Sequence, residues 1–311
     1  MRLAFAVGSP YRAPMSAATP PRRLDPTAAA CLAATWLVWG STYLVVRFAL
    51  AGFAPFFLMG SRFLVAGLVL VGYARWRGAA FPDARAWLSA VVIGALMLGG
   101  GMGGTAVAEL TVESGLVVAF VAVTPLLTTL ARLPSGVRPK RAELVGISIG
   151  LLGVLLLARG HGFAGSTAGL VAMLIACSSW TAGSVLSLSR LKLAPGAMGY
   201  GSQMLAGGVF LLLLSALTHE TPIHGLGVGT LASWAYLVVA GSLVGFTAYM
   251  YLLGHAPAAL ATSYTYVNPV IALVLGVTVG GETVTPREWL AAAVILTGVV
   301  LLFVGRQHAR S

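Results

Sequence analysis

Long apolar stretches alternate with short polar gaps along this chain, ten times over. They run at roughly 29–49, 56–74, 87–108, 114–131, 143–158, 167–189, 197–217, 230–253, 257–279 and 288–304. Most reach the ~17–25 residues that a helix needs to cross the hydrocarbon of a bilayer. A helix is the form that meets all its own backbone hydrogen bonds there. The pattern predicts an all-α integral membrane protein with ten transmembrane helices.

The runs also repeat. Glu143 to Gly153 in the fifth run aligns with Glu288 to Gly298 in the tenth without a gap. Thr124-Pro125 matches Asn268-Pro269 in the same way, and Gly40-Ser41 matches Gly183-Ser184 more weakly. The unit is therefore five helices used twice, and an odd number sends the second copy in from the opposite face. Two inverted five-helix repeats are an architecture of secondary transporters. The predicted organisation is a cytoplasmic disordered tail over 1–28, repeats over 29–159 and 165–304, and a cytoplasmic tail over 305–311. Met1 to Gly8 is too short for a signal-peptide core, and Met15 is an alternative start. Small residues recur at helix-packing spacing, as in Gly146/Gly150 and Gly241/Gly245. The run Gly99 to Gly104 holds five glycines, so a hinge or an open-backbone cavity lining is expected there.

Charge adds orientation. Of 19 Lys and Arg residues, 15 fall in the two ends and alternate gaps, Arg159 and Arg287 fall in the opposite gaps, and Arg47 and Arg62 lie within runs. The positive-inside rule then puts both termini in the cytoplasm, in the inner membrane of a bacterial cell. Hydrophobic residues make up 58% and charged residues 9%, which excludes an ordinary soluble domain. The net charge of +11 is spread singly over loops, so it indicates membrane lipid headgroups rather than nucleic acid as a partner. Cys31 and Cys177 lie within apolar runs and indicate neither a disulfide nor a metal site. His219-Glu220 and His224 miss zinc-protease spacing, and no phosphate-binding glycine loop with a lysine occurs, so no metal, cofactor or enzymatic activity is expected.

Polar groups inside apolar helices are the candidate chemistry. Trp36, Trp39, Tyr43 and Arg47 share a face within about 80° of arc at about 100° per residue. That face is either a cavity wall or an interfacial aromatic belt; Trp39 and Tyr43 lie too deep for the belt. Arg62 sits roughly 9 Å along the second helix, either paired or snorkelling outward. Glu109 and Glu113 are its candidate partners, and with Arg47 these four would make a neutral gating or charge network. Unpaired, Glu109 could instead carry a coupling proton. Glu143 and Glu288 open helices, where a carboxylate complements the helix dipole. Pro125 and Pro269 predict kinks that free carbonyls for gating or for ordinary packing. Tyr264, Tyr266 and Asn268 beside them, with Trp180, Ser184 and Tyr249, are further candidates for the substrate cavity.

Trp39-Gly-Ser-Thr-Tyr43, Arg62-Phe-Leu-Val-Ala-Gly67, Ala261 to Val270 and Gly280-Gly-Glu282 together resemble the EamA family of the drug/metabolite transporter superfamily, and within it the YedA-like branch. The likeness spans about 29–304. It implies a ten-helix exporter of amino acids, metabolites or amphipathic drugs with a central cavity, so Ser41 and Thr42 join the cavity candidates. One departure is that Leu133 to Arg138 lacks the Gly-Glu pair that follows the ninth run. The expected activity is secondary export by alternating access, with a proton as the candidate coupling ion. An integral-membrane enzyme or an uncoupled channel-like facilitator is the alternative. Substrate identity and oligomeric state are not legible. Alkaline phosphatase fused after Arg310 should be inactive; an active fusion would reverse the orientation.

Overall fold

The computed structural model describes residues 26–131, 133, 136, 141–256, 258–261 and 263–307. The expected N-terminal tail up to residue 25 (with Met15), most of the loop at 132–140 and residues 308–311 lie outside the described residues. Among the described residues every named element is a helix. In order, the elements are α1 (Pro26–Leu50), α2 (Pro55–Trp76), α3 (Ala84–Ile93), a π-helical stretch (Gly94–Gly103), α4 (Gly104–Ala108), α5 (Ser114–Val121), α6 (Thr124–Ala131), α7 (Arg141–Ala158) and α8 (His161–Ala164). There follow α9 (Thr167–Ser189), α10 (Gly196–Leu217), α11 (Val228–Tyr236), a second π-helical stretch (Leu237–Val244), α12 (Gly245–His255), α13 (Ala258–Ala261), α14 (Tyr264–Thr278) and α15 (Pro286–Gln307). Seven helices or helical successions are long and apolar enough to cross a membrane, and Glu143–Ala158 and Tyr264–Thr278 are shorter apolar helices.

Helix ends follow local chemistry. Asp83 caps α3 by accepting from the Ala86 amide at 2.7 Å, and Ser166 caps α9 by accepting from Gly169 at 2.9 Å. Pro55 opens α2, where its missing N–H goes unneeded. α1 starts just before the first run, at Pro26, and α15 continues to Gln307.

One expectation is corrected. The glycine run does not open the backbone: α3, the first π-helical stretch and α4 form one continuous rod over Ala84–Ala108. Its wider turns absorb the weakness of consecutive glycines without breaking the helix. The second π-helical stretch falls in the eighth run, as the first falls in the third, so the two occupy matching places in the two halves of the chain. Ahead of Pro125 the fourth span, Ser114–Ala131, is interrupted. The chain breaks at Ala122–Val123, and Pro125 is the second residue of α6, where a proline is tolerated. The Val121 carbonyl accepts from the Thr124 hydroxyl at 2.6 Å. Pro269, in contrast, lies inside α14 as expected.

Glycines set how closely helices approach. A Cβ on Gly298 would stand 2.4 Å from the Gly150 nitrogen and 2.6 Å from the Gly146 carbonyl, so α7 and α15 touch backbone to backbone. α2 and α10 do the same, with Gly67 against Leu205 and Gly208 against Leu64. Lipid offers no hydrophobic force between helices, so close van der Waals contact and hydrogen bonds hold them together. Large side chains such as Leu68, Leu155, Leu213 and Leu290 face outward and are exposed, as a hydrocarbon surround allows. At the α1–α2 turn the chain meets the α10–α11 loop: Ala54 donates to the Pro222 carbonyl and His224 to that of Gly52, both at 3.1 Å.

Gly298→Ala should destabilise the protein by on the order of 1–3 kcal/mol through overpacking, read as a lower melting temperature in detergent. Gly72→Ala, on α2 with open space around it, should be neutral.

Candidate functional site

α1, α12 and α14 bring three aromatic rings together. Trp39 lies 5.4 Å from Tyr249 and 4.8 Å from Tyr264 between ring centroids, and Tyr249 and Tyr264 are 5.6 Å apart. The edge-to-face arrangement of Tyr264 with each partner suits the ring quadrupoles. Trp39 donates its indole N–H to the Gly241 carbonyl at 3.0 Å, within the second π-helical stretch. This approach needs glycine: a Cβ on Gly245 would stand 2.5 Å from the indole nitrogen.

Other candidates join the same region. Ser41 shares a 2.7 Å hydrogen bond with the Tyr236 hydroxyl, and Thr42 donates to the Val38 carbonyl. Trp36 donates to the Ser263 hydroxyl at 2.9 Å. With its amide nitrogen facing them, Asn268 donates to the Tyr264 and Trp36 carbonyls, each at 3.2 Å. Thus α1 and α14 are direct neighbours. Tyr43 and Tyr266 both pack against one buried apolar cluster, further along α1 and α14. Trp180 is set apart against Gly101 of the first π-helical stretch. The Ser184 carbonyl accepts from Ser187. Among the described residues neither makes a ring contact or hydrogen bond with the aromatic trio.

The charges sit toward the ends of α1 and α4 and the start of α5. Arg47 forms an ion pair with Glu113 and a second, at 2.9 Å, with Glu282. Glu282, whose side chain is fully buried, also accepts from the Ser114 amide at 2.9 Å, the Ser114 hydroxyl at 2.5 Å and the Gly115 amide at 3.0 Å. A carboxylate at a helix N-terminus satisfies orphan donors and the dipole together. Gly276 makes room for it, since a Cβ there would lie 2.2 Å from a carboxylate oxygen. Glu220 repeats the device, accepting from the Phe56 and Phe57 amides at the start of α2, each at 3.0 Å. Glu288 accepts from Gly162 at 2.7 Å and from the Thr285 amide and hydroxyl at 2.9 and 2.7 Å. The roles of Glu220 and Glu282 were missed in the sequence because their partners lie in the other half of the chain. The one local signal was the Gly-Gly-Glu triplet.

Arg62 and Glu109 depart from expectation. Both are buried, at 3% and 5% exposure. The Arg62 Nε donates to the Ser242 hydroxyl at 2.9 Å, and no carboxylate among the described residues lies within 4.0 Å of it. Both carboxylate oxygens of Glu109 lack a hydrogen-bond partner. The expected pairing of Glu109 with Arg47 or Arg62 is therefore absent: Arg47 is taken by Glu113 and Glu282. Among the described residues the ion-paired network is one cation, Arg47, with two carboxylates, Glu113 and Glu282. Tyr43, Arg62 and Glu109 nonetheless lie close enough to interact electrostatically.

The description "EamA-like transporter family" matches residues 27–159 and again 167–304. The chain belongs to this family. It is a transporter family, and the apolar helices make the protein a multi-pass membrane protein. The inner membrane transporter YedA of Escherichia coli K12 is 40% identical over 276 residues, 88% of this chain and 90% of that one. A probable terminal-alkyne amino-acid exporter of Streptantibioticus cattleyicolor is 28% identical over 277 residues, 87% and 91% of the two chains. A solved crystal structure with 21% identity superimposes with a TM-score of 0.62, covering 90% of this chain and 99% of the other, and shares the fold.

Glu282→Gln keeps the shape but loses charge-assisted bonds, and should lower stability by on the order of 1.5–3 kcal/mol. It should also raise labelling of Thr42→Cys by an impermeant maleimide, in a background with Cys31 and Cys177 replaced. Unchanged labelling and melting would show that the contact does not hold this end shut.

Proposed function

We propose that the protein is a secondary transporter exporting small metabolites, among them amino acids and amphipathic organic compounds, by alternating access. The two matches to the family, the gapless alignment of the fifth run with the tenth and the paired π-helical stretches support a reading as ten spans in two inverted repeats. The alternating cations support cytoplasmic termini. On that orientation the Arg47–Glu113–Glu282 contacts close the periplasmic end, and the central cavity opens toward the cytoplasm in the loading step.

One observation carries the reading: Arg62 and Glu109 are buried groups of opposite type, and among the described residues neither makes an ion pair within 4.0 Å. A buried arginine without a carboxylate is costly in a membrane protein and marks a functional position by default. Arg62 is assigned to a solute carboxylate, the Trp39, Tyr249 and Tyr264 rings to its apolar part, and Glu109 to an ammonium group or an exchangeable proton. Asn268, Tyr266, Ser41, Thr42 and Tyr43 complete the wall, with Trp180 and Ser184 farther off. The relative whose name is that of an amino-acid exporter supports the solute class.

Purified protein screened against amino acids, nucleosides and cationic drugs should be stabilised by carboxylate-bearing amphipathic solutes, and Arg62→Gln should lose that response. Glu109→Gln should melt no lower than wild type, because it removes an unpaired buried carboxylate. In proteoliposomes with an imposed pH gradient it should keep exchange and lose the response to the gradient. A variant as responsive as wild type would remove Glu109 from coupling.

A further inference from the structure

Arg159 and Arg287 are the two loop cations that break the alternating charge pattern, and they lie in opposite halves of the chain. The fold brings them to one place. Arg159 follows α7 directly, and Arg287 is the second residue of α15. These two helices pack backbone to backbone through Gly298, Gly150 and Gly146. Both arginines, with His161, line a cleft of about 510 Å³ at the end of the pair. Both are exposed, and among the described residues no carboxylate lies within 4.0 Å of either.

The neighbouring carboxylates are turned elsewhere. Glu288 accepts from Gly162 and Thr285 and lines an adjacent cleft of about 280 Å³ together with Glu113. Neither acid lines the basic cleft. The charged side chains that line the basic cleft are thus the two arginines, with Glu288 behind it on Thr285 and Gly162. Below it the helices turn apolar at once. Leu155 and Leu156 lie within a turn of Arg159, while Trp289 and Leu290 follow Arg287, and all four are exposed on the perimeter. An exposed Trp beside a cation is the composition found at headgroup depth, and basic pockets between membrane helices suit phosphate headgroups.

We propose that this cleft binds the headgroup of an anionic phospholipid. The phosphate would bridge Arg159 and Arg287, and the acyl chains would run over the Leu155–Leu156 and Trp289–Leu290 surface. Two phosphate oxygens can meet two guanidinium groups in the forked geometry that arginine favours. One lipid would then tie the end of α7 to the start of α15. The inference needs only that the protein is embedded in a bilayer and is independent of the transported solute.

The full-length protein in detergent, supplemented with dioleoylphosphatidylglycerol, dioleoylphosphatidylcholine or inorganic phosphate, tests this. Wild type should retain phosphatidylglycerol in native mass spectrometry and melt higher with it than with phosphatidylcholine. Inorganic phosphate should leave the melting temperature unchanged. Arg159→Gln with Arg287→Gln should weaken phosphatidylglycerol retention roughly tenfold or more, from the contribution of two cations near an anionic headgroup. The doubly lysine-substituted protein should keep part of it. Both side chains are exposed, and the other basic loops are the same in all proteins compared, so the difference reports this cleft. Equal retention by wild type and the double Gln variant would overturn the proposal, as would no preference over phosphatidylcholine. Stabilisation by inorganic phosphate alone would assign the cleft to a free anion and overturn the lipid assignment.

Discussion

Arg47 can serve only the carboxylates that the fold carries to it, and the fold carries Glu113 and Glu282. Glu282 arrives from the segment after α14 and reaches the first residues of α5, so one contact ties α1, α5 and the α14–α15 connection. Buried charge is tolerated where hydrogen bonds and counter-charge meet it together, and Glu282 has both. The same allocation leaves Glu109 with neither partner.

The second organising element is the π-helical turn. In the second stretch it brings the Gly241 carbonyl to the Trp39 indole. The Ser242 hydroxyl, bonded to the Leu237 carbonyl at 3.0 Å, receives the Arg62 Nε. A Cβ on Gly245 would stand 2.5 Å from the Trp39 indole nitrogen, and one on Gly241 would crowd the Arg62 guanidinium at 3.0 Å. Aromatic wall and buried cation are therefore held by the same few residues. A helix of regular turns would direct these carbonyls along its axis instead.

Carboxylate-to-helix contacts recur at this end of the molecule. Glu220 meets the start of α2, Glu282 the start of α5 and Glu288 the short α8. In the first two cases a residue from the later part of the chain caps a helix from the earlier part. No corresponding acid follows the fourth apolar run, where the sequence reads Gly136-Val137-Arg138. The two ends of the molecule thus differ in chemistry even where the sequence halves align.

Apolar run length and loop charge made the membrane class, the family resemblance and most helix positions legible, because a bilayer imposes length and sign on a chain directly. Residue type on one helix face likewise singled out Trp39, Tyr43 and Arg47, and depth within an apolar run singled out Arg62. The structure alone decided the partners. Glu109 and Arg47 look like natural mates in the sequence, but Arg47 pairs instead with Glu282, near the far end of the chain. The continuity of the glycine run also involved packing, with Phe210, Ser179 and Trp180 against Gly99, Gly100 and Gly101. Charge pairing inside a membrane protein depends on which side chains share a dry space, and sequence distance carries no information about that.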